Sequence, residues 1–450
     1  MGDAAQQNNS SPTAPSPRAV RCLLTSHGLA VFSWRAWEFT LALLLTRLFP
    51  GSLAVVSLYG LTDSGVSLLA GPALGRAVDR LDRRTAALRG YAAQHSGIAL
   101  SCLLSLAALA TDGGGRAVLT ACVFACAALA GLGSTGSSLS VEREWSAALC
   151  SGDDKALTRL NGAMRALDLS AGLLAPAAAG AILQLAGPRA ACLLLGGLNA
   201  ACFWPETLLL SAAQAAAPVL AAPRQPPAAP EDSPGPRAAI ALYLAQPVLQ
   251  PAVCLALLYL TVLSMGFVMT AYLHWAGLRD LEIALLRAAG SLTGLLATAL
   301  VPCLTPARLS LRGVAALALL YQLLWLALGA APVLRGGARG AARWLALAVA
   351  FSRTGLWGAD LAISQLLQQE VPREALGAIN GVQASLCAAF EIAAYSAGLL
   401  ANRPTRFPAL VAGSLAAVSL STALFLRHLC RHRATGEQAA LEQRLLEEAD

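Results

Sequence analysis

The chain has 450 residues, 56% of them hydrophobic and only 13% charged, with a mean hydropathy of +0.60. That balance excludes an ordinary soluble domain and marks an integral membrane protein. The formal charge is +7 at pH 7, but the basic residues are spread over short loops, which excludes a nucleic-acid partner and makes the charge a topology signal.

Residues 1–27 are polar and Pro-rich and lack the apolar core and small-residue cleavage site of a secretory signal; they are also short for a transit peptide. They are expected to form a disordered cytoplasmic N-terminus, with the first span acting as insertion signal. Windows of about 20 apolar residues suffice to cross a hydrocarbon core of roughly 30 Å. They predict spans near 28–48, 53–74, 86–110, 117–139, 163–186 and 190–212, then near 249–274, 283–304, 311–333, 343–368, 376–401 and 407–427.

Between the two groups, residues 213–240 are so dense in Pro and Ala that neither a continuous helix nor a packed core is expected. The chain thus reads as an all-α membrane protein of twelve transmembrane helices. Its expected parts are an N-terminal six-helix bundle (28–212), a cytoplasmic linker (213–240), a C-terminal six-helix bundle (241–428) and a cytoplasmic tail (429–450). This 6+6 layout resembles the major facilitator superfamily, whose two bundles rock about a site near the midplane. Such a fold names no substrate.

Arg18 and Arg21, then Arg76, Arg80, Arg83 and Arg84, then Arg427, Arg431 and Arg433 all fall on one side of an even number of spans. The positive-inside rule makes that side, and both termini, cytoplasmic; Arg335, Arg339 and Arg343 run against the rule. The only lysine, Lys155, follows Ser-Gly-Asp-Asp, so there is no phosphate-cradling loop, and neither HExxH nor GxSxG occurs. An enzyme is therefore not expected. Transport down a gradient or coupled to an ion remains. Eleven cysteines without a CxxC lie mostly within spans, and Cys122 and Cys126 are best read as packing residues.

Glu38, Asp168, Glu206 and Glu391 lie inside apolar stretches, where a charge persists mainly when it lines a polar pathway or pairs with a partner. Arg35 and Glu38 are three residues apart on the first span, placed to interact or to face one cavity. Gly71 and Gly75 allow close helix approach and lead into Asp79 and Arg80, which look like the cytoplasmic gate common in major facilitators. Val141-Glu-Arg-Glu-Trp145 precedes the fifth span, where Asn161, Arg165 and Asp168 share a helix face; with Glu144 they are placed to form a gate of exchanging salt bridges. Asn199 and Glu206 share a face of the sixth span, with Gln94 in reach from the third. Three oxygen donors suit a hard or borderline cation such as Ca²⁺, and a plain hydrogen-bonded helix contact accounts for them equally well.

These motifs together resemble the ferroportin family. The resemblance rests on Arg143-Glu-Trp145, the Asn161–Asp168 face, Asn199 with Glu206, Ser352-Arg-Thr-Gly-Leu-Trp-Gly-Ala-Asp360 running to Gln365-Leu-Leu-Gln, and Ile379-Asn-Gly-Val-Gln383. It implies export of Fe²⁺, with Co²⁺ or Ni²⁺ as other cargo, and no permanently bound cofactor. Carried over by residue, the family's gating Asp-Asn-Arg set falls on Glu144, Asn161 and Arg165, its fifth-span aspartate on Asp168, and its Ca²⁺-binding residues on Gln94, Asn199 and Glu206. Ca²⁺ as a regulator is thus implied by the resemblance.

The chain departs from animal members at several of their ligand positions. Trp34 replaces the fourth Ca²⁺ ligand and Glu38 a metal-ligand histidine; Phe267 replaces a seventh-span cysteine and Ala394 an eleventh-span histidine, while Glu391 stands at a family aspartate. The resemblance therefore implies no control by hepcidin, which uses that cysteine, and leaves Glu391 for an oxygen-only site. Trp37-Glu-Phe39 and these losses look like the plant branch, which implies the plasma membrane, with the vacuolar membrane as alternative.

The expected mechanism is alternating access, with the metal held by Glu38 and Asp168 and the carboxylates trading metal for H⁺. Two rivals remain: a porter for an organic solute, and a plastid solute or antibiotic importer.

Overall fold

The computed structural model of the chain describes residues 15–150, 153–221, 236–304, 310–337 and 339–447. Its helices are α1 (Pro17–Leu48), α2 (Ala54–Arg80), α3 (Arg83–Leu109), α4 (Gly113–Ser138), a π-helical turn (Leu139–Trp145), α5 (Ser146–Leu149), α6 (Asp154–Leu185) and α7 (Gly187–Ala216). There follow α8 (Pro236–Leu244), α9 (Leu249–Leu257), α10 (Phe267–Trp275), α11 (Asp280–Leu304), α12 (Leu311–Leu334), α13 (Arg339–Glu370), α14 (Arg373–Leu400) and α15 (Phe407–Glu447). The helices gather into two compact units, one of Met1–Trp37, Leu69–Ala175 and Cys192–Ala229, and a second of Glu38–Leu68, Pro176–Ala191 and Pro230–Asp450.

Several boundaries differ from those expected. Helix α1 starts at Pro17, a favoured first helical position, so residues 17–27 are helical rather than disordered. The expected linker gives up both of its ends: α7 runs through the Ala-rich stretch to Ala216, and α8 opens at Pro236. Helix α15 continues from the twelfth expected span through the tail to Glu447, because Glu, Gln, Ala, Leu and Arg dominate there.

Among the described residues, nine helices are long and apolar enough to cross a bilayer, or ten if the bent pair Arg237–Leu244 and Leu249–Leu257 is one span. Two features lower this count among the described residues relative to the expected twelve. Helix α13 carries Arg343, Arg353 and Asp360 along its length, which lowers its hydropathy. The seventh expected span is interrupted between α9 and α10.

At that interruption backbone groups lose their helical partners, and in an apolar surrounding each must find another. Ser414 Oγ accepts from the Val262 amide at 3.0 Å, Thr261 Oγ1 from the Leu263 amide at 2.9 Å, and Arg353 Nη2 donates to the Leu263 carbonyl at 2.6 Å. The break is thus built into the second unit by side chains of α13 and α15 together with its own Thr261.

Small residues set the helix spacing. In the first unit, a Cβ on Gly133 of α4 would meet the Gln94 amide nitrogen of α3 at 2.3 Å; in the second, one on Gly355 of α13 would meet the Ala318 carbonyl of α12 at 2.5 Å. Only glycine lets these backbones approach so closely.

Helix α3 begins where Asp82, extended at φ −63° and ψ 149°, accepts a hydrogen bond from the Thr85 amide at 2.9 Å. The hydrogen bonds from Thr85 hold the exposed Asp82 carboxyl below the usual aspartate range. Its contribution to stability is therefore present above the unfolded-state value and is lost as pH falls through the lower, folded value. Asp82→Ala should cost about 0.5–1 kcal/mol at neutral pH, and thermal melts should show this difference shrinking as the pH is taken below the usual aspartate range.

Candidate functional site

In the first unit, α1 brings His27, α6 brings Asp168 and the π-helical turn brings Glu142 to one place. His27 Nε2 lies 3.2 Å from Asp168 Oδ1, with the His27 side chain 3% exposed and that of Asp168 21% exposed. One ligand atom from each of His27, Glu142 and Asp168 lies within 4.8 Å of the others. Glu142 and Asp168 open onto a cavity of about 330 Å³, also lined by Trp34, Arg35, Ser138 and Arg165.

The π-helical turn explains why Glu142 arrives there. One face packs Val141 and Trp145 into an apolar cluster with Tyr91, Leu160 and Met164. Ser140 Oγ at 3.2 Å and Trp145 Nε1 at 3.1 Å both donate to the Arg83 carbonyl. A π turn offsets the residues that follow from an α-helical register, and such turns recur at functional sites.

The expected gate residues fall in different places. Arg165 lines the cavity, as does Glu142, two residues before the expected Glu144. Glu144 is half-buried, Asn161 is exposed and does not line the cavity, and Arg80 is exposed. The side chains of Asp79 and Arg143 lie outside the described residues. His27 carries no motif of its own, being a histidine near the start of an apolar span, and its one signal in the sequence is that placement.

Asn199 and Glu206 are both held by His95, and Gln94 contacts neither. His95 Nδ1 lies 2.9 Å from Asn199 Oδ1 and His95 Nε2 lies 2.7 Å from Glu206 Oε2. Gln94 turns the other way and donates to the Ala30 carbonyl at 2.8 Å and to Ser33 Oγ at 3.3 Å. Successive residues on a helix point about 100° apart, so one neighbour faces α7 while the other faces α1.

In the second unit, Glu38 accepts from Arg287 Nη2 of α11 at 2.7 Å. Its electrostatic neighbours include Asp63 and Glu391. Asp63 is a further acid within the second expected span, unmarked by any motif. Glu391 lines a cavity of about 220 Å³ with Tyr259, Arg353, Trp357, Asp360 and Tyr395. Phe267 and Ala394, the positions that stand for the lost cysteine and histidine, line the same cavity. Its charged and strongly polar donors are therefore oxygen and guanidinium, joined by the Met269 thioether, and its lining holds neither thiolate nor imidazole.

The His95–Glu206 pair is fully enclosed, with side chains 2% and 0% exposed. Removing one partner of such a pair strands the other, at a cost of about 3–5 kcal/mol. His95→Leu should therefore lower the melting temperature of the purified protein strongly, and adding Glu206→Leu should restore most of the loss.

A family profile described as Ferroportin1 (FPN1) matches residues 17–235 and 235–418. Solute carrier family 40 member 1 of Oryza sativa subsp. japonica is 32% identical over 92% of this chain and 91% of its own length. The crystal structure of a bacterial homologue of the iron transporter ferroportin in an inward-facing state aligns with a TM-score of 0.78 at 26% identity, over 91% of this chain and 98% of that one. The outward-facing form with soaked iron gives a TM-score of 0.62 at the same 26% identity, over 91% and 98%. The chain belongs to the ferroportin family, as an all-helical, multi-pass membrane transporter with the major facilitator fold rather than an enzyme.

Proposed function

We propose that this chain exports a divalent transition metal, Fe²⁺ first and Co²⁺ or Ni²⁺ as further cargo, from the cytoplasm by alternating access. The observation that carries the reading is that each unit turns an acid from a membrane-spanning helix into a cavity: Asp168 in the first, Glu391 in the second. Carboxylates in such places are retained mainly for an ion pathway. The names of the bacterial structures, an iron transporter in inward- and outward-facing states and with soaked iron, support the cargo and the mechanism.

In this reading Asp168 contacts metal in the cavity of the first unit and Glu391 in that of the second. Glu38, held by Arg287, becomes available within the second unit when that ion pair opens. The same carboxylates exchange the metal for protons, and the bias of basic residues supports cytoplasmic termini; the membrane is the plasma membrane, with the vacuolar membrane as alternative. Ca²⁺ binding at Asn199 and Glu206 requires the His95 ring to move aside.

The aromatic walls of the second cavity, Tyr259, Trp357 and Tyr395, favour an organic solute as the second reading. Efflux of labelled Fe²⁺ and Co²⁺ from proteoliposomes separates the two. The intact chain should export metal without competition from organic solutes. Asp168→Ala and Glu391→Ala, at equal membrane abundance, should each lower export at least about tenfold, the usual scale for loss of a tuned metal contact. Absence of metal flux from the intact chain moves the organic-solute reading to first place.

A further inference from the structure

We propose that His27, Glu142 and Asp168 are together a binding site for one divalent transition-metal ion, wholly contained in the first unit. The inference rests on the metal-export reading and goes beyond it by naming a site with an imidazole donor and a residue of the π-helical turn. Metal-bound nitrogen and oxygen ligands lie about 2.0–2.2 Å from the ion, which puts neighbouring ligand atoms about 2.8–3.6 Å apart across octahedral and tetrahedral geometries. His27 Nε2 and Asp168 Oδ1, at 3.2 Å, already have that separation. Glu142 completes the group within 4.8 Å.

The donor set selects the class of ion. Two carboxylates supply two negative charges, which match a divalent cation once the imidazole is neutral. The imidazole nitrogen disfavours Ca²⁺ and Mg²⁺, which take oxygen ligands, and a donor set without thiolate disfavours Cu⁺. Fe²⁺, Co²⁺, Ni²⁺ and Zn²⁺ remain.

The setting supports a loading site rather than a sealed structural one. His27 is enclosed, whereas Glu142 and Asp168 face the cavity, so the ion has an entry path and open positions for water. Arg35 and Arg165 line the same cavity and offset the two carboxylates until an ion arrives. The three ligands come from α1, the π-helical turn and α6. Binding therefore adds a common link among three elements already joined by packing and by the His27–Asp168 contact, and it stabilises the state in which they meet.

The test uses Co²⁺ as probe with the purified full-length protein in detergent, after removal of bound metal. Visible absorption of Co²⁺ reports its ligands, and titration gives the affinity. Wild-type protein should bind one Co²⁺ at this site. His27→Gln and Glu142→Gln should each weaken it at least about tenfold, with unchanged elution on gel filtration. Glu142→His, which exchanges oxygen for nitrogen, should keep the ion and shift the spectrum.

If both glutamine variants bind Co²⁺ as the wild type does with the same spectrum, or if Glu142→His leaves the spectrum unmoved, the assignment is overturned. Efflux measured in parallel separates this outcome from the broader reading. Metal export with Co²⁺ binding indifferent to these three residues removes the site and leaves the exporter. Co²⁺ binding that depends on them, in a chain that exports no metal, supports the site and removes the exporter.

Discussion

A carboxylate among apolar helices must meet a cation or a hydrogen-bond donor, because the interior cannot solvate it, and the helix arrangement in each unit depends on this constraint. In the first unit Glu206 of α7 is held by His95 of α3, and Asp168 of α6 by His27 of α1. In the second, Glu38 meets Arg287, and Asp280 is flanked by Arg47 and His274. Each pairing fixes a helix contact that apolar packing alone leaves free to slide, since lipid and leucine offer much the same environment.

The same demand applies to the backbone. The seventh expected span breaks where Ser414, Thr261 and Arg353 receive the freed amides and carbonyl, so an irregular segment survives beside a cavity. The π-helical turn is the corresponding irregularity of the first unit. It is pinned to the Arg83 carbonyl by Ser140 and Trp145, and it presents Glu142 to the other cavity. Both units thus place their departures from the regular helix next to polar chemistry, and the regular helices, spaced by glycines such as Gly133 and Gly355, act as scaffold.

The two cavities differ in donor chemistry. In the first an imidazole stands behind the cavity carboxylates. The second has acids, Arg353 and aromatic rings, with Phe267 and Ala394 where the resemblance points to sulfur and imidazole in relatives. Borderline ions bind more weakly to oxygen alone than to a set that includes imidazole nitrogen. Under the proposed metal-export reading, the first cavity is therefore the one whose donors favour such an ion more.

The sequence by itself determined the helical class, the membrane setting, the family and the presence of acids within apolar spans. These are properties of composition, of period and of residues close along the chain, and they do not depend on which helix lies beside which. It also carried Asp168, Asn199, Glu206 and Glu391 as candidates, since a carboxylate or amide in an apolar stretch is conspicuous. Partners were another matter. That His95 and not Gln94 meets Glu206, that His27 stands behind Asp168, that Arg287 takes Glu38 and that Glu142 reaches the cavity in place of Glu144 were decided only by the tertiary structure. Each involves helices far apart in sequence, and a turn of about 100° between successive residues, or one π-helical offset, changes which side chain faces the neighbour.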